Sequence, residues 1–232
     1  MLEVLISAAL GTIVLAGVFD LYVSSSNSIL GQTNVVQMQA ETNSAKDFMV
    51  RELRLIFGSP TITTTTNAND TISFTRIEES GYSSGGNNLT NPGTLNDSNK
   101  SWKVNAFAPT TSGAYSVRII SGQGVGELHP ILSNTASTLT LSDAGWTSLP
   151  NTSSLYYITR DKAFRRQADN TLRYQIQSGS FNLLAANVTS LTFSQPDPTS
   201  VSVALTAQTQ TIDPRTGKYA SYTLSDTVRK MN

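Results

Sequence analysis

The chain has no cysteine, a single histidine, and charged side chains at only 14% of its 232 positions. Each shortage closes off a class of function. Without cysteine there is no disulfide framework, no thiolate nucleophile and no cysteine-ligated zinc or iron–sulfur site. A lone histidine, His129, leaves almost nothing from which to build a transition-metal centre or a histidine-driven triad. Sixteen basic residues against sixteen acidic ones provide no electrostatic case for gripping nucleic acid, and no nucleic-acid partner is expected. Hydroxyls and amides take the place of charge: serine, threonine and asparagine make up about a third of the chain. The length allows one large or two small domains with a real core.

The scattered features that could carry chemistry do not assemble into a site. Gly122, Gly124 and Gly126 in SGQGVGELHP lack the spacing of a nucleotide loop, and no Gly-Lys-Ser/Thr or helix follows them. Turns or close strand approach beside Ile119 explain them better. His129 precedes Pro130, which reads as a rigid turn. Asp97, Asp143, Asp161, Asp169 and Asp213 offer hard oxygen ligands, but none forms the alternating acidic loop of a calcium motif. The Asn-x-Ser/Thr sequons follow from composition. Lys162, Arg165 and Arg166, with Asp161 beside them, read as a solvated face, and Trp102, Trp146, Tyr156 and Tyr157 as core or rim. The expectation is therefore no enzyme, no catalytic residue, no cofactor and no metal.

The opening stretch has the opposite character. Residues 4–23, VLISAALGTIVLAGVFDLYV, form an apolar run broken only by small or hydroxylated residues and Asp20. Twenty residues rise about 30 Å as a helix, the thickness of a bilayer's hydrocarbon core. A secretory signal fits poorly, because the first basic residue is Lys46. A buried core helix would need a partner of matching length. No proline occurs before Pro60, and between residues 24 and 57 the only glycine is Gly31. Ala45, Phe48, Met49, Leu53, Ile56 and Phe57 recur at three- and four-residue spacing, the mark of one buried helical face. Gly58 and Pro60 supply a stop.

One continuous helix over residues 1–57 follows, greasy all round at first and amphipathic at its end. The remaining residues cannot cover a helix of that length, so its N-terminal half must protrude. Such a rod is viable only under lipid or sister helices. Ser7, Ala8, Ala9, Gly11, Ala16 and Gly17 would let helices approach closely. Glu3, at the lip of the apolar segment, either sits among headgroups or answers a positive charge. The most economical such charge is the α-amine of a neighbouring subunit, and that pairing would fix axial register.

MLEVLISAALGTIVLAGVFDLY resembles the N-terminal segment of type IV pilins and type II secretion pseudopilins. Glu3 aligns with the glutamate of that family, Leu2 with the residue before it, and Val4 and Leu5 with the apolar pair after it. The stretch NTLRYQIQSGSFNLLAANVTSLTF, through Ala185, Asn187, Val188, Leu191 and Phe193, is similar to a region of PilW-like minor pilins and J-type pseudopilins. The closing TLSDTVRKMN is a looser match through Val228, Arg229 and Asn232. The family's leader and first two mature residues have no counterpart here, which points to a start set too late, a trimmed chain or an atypical member.

From residue 61 the period changes to two. Ile72 and Phe74, then Tyr115, Val117 and Ile119, then Leu139 and Leu141 alternate with polar neighbours. Residues 80–100, rich in glycine and asparagine, read as a long exposed loop. Leu172, Tyr174 and Ile176 form a strand, as do Val201, Val203 and Leu205. A turn at residues 213–218 leads into a last strand at 219–229. The expected domains are a helix at 1–57 and a β-rich head at 58–232, the head comprising an elaborated middle region at 61–160 and a family-like C-terminal sheet at 161–232.

The resemblance implies an α+β pilin fold and a structural or minor subunit of a type IV pilus. Such a subunit crosses the inner membrane once, with a periplasmic head, before it enters an extracellular filament. It also implies other pilin subunits and inner-membrane lipid as partners, with cleavage by a prepilin peptidase and N-terminal methylation where a leader exists. The alternatives are a J-type pseudopilin, the major pilin of an unusual filament, and a membrane-anchored adhesion or binding module that never polymerises.

Overall fold

The computed structural model describes residues 2–63, 71–89, 93–109, 114–143, 145–177, 179–213 and 216–230, with Val4 and Leu5 described by backbone alone. Residues without proline and with few glycines build a single helix, α1 (Leu2–Arg54), whose 53 residues extend about 80 Å. Glu3 lies in its first turn, and Arg51 and Arg54 in its last, so each charge complements the helix dipole. Thr12 and Thr33 donate their hydroxyls to the carbonyls of Ala9 and Ile29, which for Thr12 keeps a polar group satisfied within the apolar run.

Burial changes sharply along α1. From Leu2 to Leu30 the described side chains are exposed or at most half-buried. From Gly31 onward a stripe through Asn34, Met38, Thr42, Ala45, Met49 and Leu53 turns towards the head. The helix stops at Arg54, three residues earlier than Phe57. The reason is local: the Ile77 amide donates to the Leu55 carbonyl at 2.8 Å, and Ile56 drops into the core at the start of a strand. Gly58 and Pro60 therefore lie within β1 (Ile56–Thr63), not at a helix cap.

Among the described residues the head holds two sheets. After β1 come β2 (Thr71–Tyr82), β3 (Thr94–Asn96), β4 (Ser116–Ser121), β5 (Leu128–Asn134), β6 (Thr138–Leu141), β7 (Leu155–Arg166), β8 (Leu172–Ile176) and β9 (Asn182–Ala185). These make a nine-stranded sheet in the order β1-β2-β7-β4-β5-β6-β3, with β8 pairing β7 and β9. The 12-residue β7 is its axis. One edge of β7 runs along β2. The other pairs with β4 over residues 155–159 and with β8 over 162–166. β10 (Val188–Ser194), β11 (Ser200–Gln208) and β12 (Ser221–Arg229) form a separate three-stranded antiparallel sheet.

Two cores result. The first joins Ala45, Met49 and Leu53 of α1 to Phe74, Phe164, Leu191, Phe193, Val203, Leu205 and Val228. The second, Leu95, Val117, Ile119, Ile131, Leu139, Trp146, Tyr156 and Ile158 among others, lies within the middle strands. The expected boundary between residues 160 and 161 falls inside β7, so the middle region and the family-like segment share one sheet; the break between sheets comes between Ala185 and Val188.

Two further expectations change. Within 80–100, β2 runs on to Tyr82 and β3 begins at Thr94. Ser83, Leu95 and Asp97 are buried, and Thr94 accepts a 2.8 Å hydrogen bond from Trp146 Nε1. Pro92 lies outside the described residues. Pro130 lies in strand β5, at the point where β5 exchanges β4 for β6 as its neighbour. A residue without an amide proton fits that changeover.

Candidate assembly surface and its anchorage to the head

The largest apolar surface of the described residues is α1 itself. Leu2, Ile6, Leu10, Ile13, Leu15, Phe19 and Leu21 are each more than half exposed, Leu2 and Leu21 at 73%. The best 18-residue window of the helix has a mean hydropathy of 1.9 and none of it is buried in the head. By length and composition the helix could cross a membrane. Gly11 and Gly17 lie on this surface with nothing within 4 Å of where a side chain would begin, so each opens a notch for close helix approach. Glu3 is exposed on the first turn, and Asp20 lies about 25 Å further along. Val4 and Leu5 are helical, but their side chains lie outside the described residues.

The far end of α1 is tied into the head. Met49, Leu53 and Ile56 are fully buried and Ala45 nearly so. Phe48 is half-buried, edge-on to Phe164 at 6.1 Å and Tyr174 at 5.1 Å, with Arg51 over its ring. Phe57 is not part of this packing. As a β1 residue it faces elsewhere, edge-on to Tyr157 at 5.8 Å and beneath the Arg118 guanidinium. Nearer the rod, Asn34 Nδ2 donates to Thr211 Oγ1 at 2.9 Å, joining α1 to the segment between β11 and β12.

Beside this apolar contact sits a group of charges. Glu52 Oε2 lies 2.8 Å from Lys162 Nζ and 3.1 Å from Arg76 Nε. Lys162 also meets Glu78 at 2.8 Å, and Arg76 pairs with Glu78. Two acids and two bases thus neutralise one another at the junction of α1, β2 and β7. Burial works to raise the Glu78 pKa, but Lys162 and Arg76 outweigh it and hold the carboxyl below its ordinary range. Burial works to lower the Lys162 pKa, and hydrogen bonds to Glu52, Glu78 and Tyr174 outweigh it in the opposite direction. This corrects the solvated-face reading: Lys162 and Arg166 share the core side of β7 with Phe164, while Arg165 points away. Arg166 donates to Asn170 Oδ1 and to the Val188 carbonyl.

The residues considered for chemistry have structural contacts. His129 lies between two carboxylates, Nδ1 2.9 Å from Asp143 and Nε2 3.1 Å from Glu127, with its ring against Trp146. Glu127 also accepts the amides of Thr147 and Ser148, which fastens the segment after Asp143 to β5. The Gly122–Gly126 turn packs on residues 153–154, and a side chain at Gly122 would collide with the Ser153 carbonyl oxygen. Among the described residues no group of three or more His, Asp or Glu side chains is arranged to hold a metal ion.

No family model, no curated protein and no solved structure matches this chain. The architecture itself is consistent with the general pilin-like fold class and with a structural subunit of a filament-forming protein. A long apolar N-terminal helix packs by its C-terminal part on a β-rich body and leaves the rest of its length uncovered.

Proposed function

We propose that the protein is a PilW-like minor pilin, a structural subunit that acts in type IV pilus assembly by packing and not by catalysis. One observation carries this reading. A single unbroken helix carries an apolar run at residues 4–23, its described side chains from Leu2 to Leu30 are exposed or at most half-buried, and it then enters the core of its own head. An apolar surface of that size in water is costly, and only lipid or other helices of the same kind can cover it.

Inserted as single-pass proteins of the inner membrane, with heads in the periplasm, subunits share a plane and an orientation. That removes much of the entropic cost of association. Apolar rods then exchange lipid for one another, approach at Gly11 and Gly17, and end in an extracellular filament. Glu3, flanked by Leu2, Val4 and Leu5, sets axial register by answering the α-amine of a neighbouring subunit, since either charge alone in a helical bundle is unfavourable. Prepilin peptidase processing and N-terminal methylation belong to the same reading. A J-type pseudopilin is the same physical object in a secretion machine, and the genes beside this one separate the two.

The test is Glu3→Ala, followed in membranes and in sheared surface fibres. The variant should stay in the membrane and be lost from fibres. Incorporation at the normal level refutes the register role, and a wild-type chain that never enters fibres refutes the filament reading in favour of a non-polymerising membrane-anchored module.

A further inference from the structure

The strand edges of the head are protected unequally. Natural sheets blunt their free edges with bulges, proline, lysine or short strands, because a regular open edge invites another strand. Here β1 carries Pro60 and a register shift between Phe57 and Thr61. The edge strands β3 and β9 have three and four residues, and β10 is interrupted by a register shift between Val188 and Ser190. β12 is long, with its charges limited to Asp226 in the core-facing row and Arg229 at its end. Its nine residues pair with β11 in unbroken register from Ser200↔Arg229 to Gln208↔Ser221, without proline, glycine, lysine or bulge.

The hydrogen-bond phase shows which groups lie open. The Thr209 amide donates to the Ala220 carbonyl, and the Lys230 amide to the Thr199 carbonyl, in the register of the β11–β12 ladder. In the alternation between these ends, Tyr222, Leu224, Asp226 and Val228 bond to β11, and Ser221, Thr223, Ser225, Thr227 and Arg229 turn their main chain outward. Of the outward amides only that of Thr227 is taken, by the Asp226 carboxylate at 2.8 Å. Along the core-facing row, Val228 is buried but Tyr222, Leu224 and Asp226 are only half-covered. The opposite row carries Ser221, Thr223, Ser225 and Thr227.

We infer that the free edge of β12 is a strand-addition site for an extended segment of a different polypeptide, which completes the three-stranded sheet as a fourth strand. The edge dictates the chemistry of its partner: alternating main-chain donors and acceptors fit an extended backbone. The partner's inward side chains are apolar beside Tyr222 and Leu224 and polar or basic beside Asp226, and its outward ones are small or hydroxylated. Symmetry argues against a second copy. Antiparallel self-pairing of β12 requires a two-fold axis normal to the sheet. Because α1 packs on the face of that sheet, the axis would reverse one rod against the other, and both could not enter one bilayer from the same side. Parallel self-pairing would set the apolar row of one copy beside the hydroxyl row of the other.

Hydrogen exchange of the full-length chain, read at single amides, tests this in three states: dispersed in detergent, in native membranes, and in sheared fibres. Thr223 and Ser225 should exchange freely when dispersed and slow by at least about 100-fold in one of the native states. Tyr222 and Leu224 should be protected throughout. Exchange at Thr223 and Ser225 that is equal in all three states overturns the proposal. Ser225→Pro removes an outward amide and spares the β11 ladder, so it should abolish the gain at Thr223 while Ser225→Ala keeps it. Retained protection at Thr223 in the proline variant also overturns it. A photo-crosslinker at Ser221 that recovers β12 of an isotope-labelled second copy overturns the choice of partner. Absence of the chain from fibres would count against the filament reading alone, since the membrane measurement still decides this one.

Discussion

Glu52 and Lys162 meet at 2.8 Å, although they are 110 residues apart in the chain. Both are almost fully buried, and the contact joins the last turn of α1 to the axial strand of the larger sheet. Removing Glu52 leaves Lys162 and Arg76 to share the one carboxylate of Glu78, an unbalanced buried charge. Glu52→Gln is expected to destabilise the head by about 3 kcal/mol, and Glu52→Leu combined with Lys162→Met by less than the sum of the singles. Chemical denaturation of the detergent-solubilised chain, followed by tryptophan fluorescence, measures both.

The same junction sets a pH window. Glu78 has a carboxyl held below its ordinary value of 4.5, so its contribution is present above that value and lost as pH falls through the depressed one. Lys162 is raised above 10.5, so its contribution is present below that value and lost as pH rises through the elevated one. Stability should therefore be flat through neutrality. Glu78→Gln should flatten the acid limb, and a limb unchanged in that variant would show that other carboxylates set it.

Truncations along α1 should divide into two classes. Leu53→Ala opens a cavity in the first core and is expected to cost about 2–5 kcal/mol of head stability. Leu15→Ala touches nothing in the head and should leave its melting unchanged, while weakening partition into lipid vesicles. Equal effects on head melting would contradict the uncovered rod.

Gly122 has φ +82°, and a side chain there would press on the Ser153 backbone. Gly122→Ala is expected to cost about 1–3 kcal/mol from backbone strain, with further loss from the contact. Gly126→Ala also has a positive φ but meets nothing within 4 Å, so it should pay only the strain term. Paired thermal melts of the two variants distinguish these contributions.

The parts of the fold legible in the sequence were those with a clean period. The apolar run at residues 4–23, the helical stripe through Ala45, Met49 and Leu53, and the alternation of Val201, Val203 and Leu205 each correspond to a described element. The most central strand was not legible. In β7 the apolar alternation of Tyr156, Ile158 and Phe164 is interleaved with Arg160, Asp161, Lys162, Arg165 and Arg166, which looks like a surface. Lys162 is inside because Glu52 of α1 and Glu78 of β2 neutralise it, and Arg166 because Asn170 and the Val188 carbonyl accept from it; a local reading cannot supply partners from distant segments. The helix ends at Arg54 and not at Phe57 for a similar reason. Gly58 and Pro60 are plausible stops, but the stop that acts is the Leu55 carbonyl, captured by an amide from another strand. The open edge of β12 likewise depends on which strands do not come to lie beside it.

Because one helix is both the protruding rod and a member of the head's core, no hinge separates the two. A pull along its axis is delivered directly to Ala45, Met49 and Leu53, which would have to slide past their neighbours together instead of peeling away singly. The Glu52–Lys162–Glu78–Arg76 group lies at the end of that track and resists the same sliding. The molecule is thus loaded in shear along the helix–sheet contact.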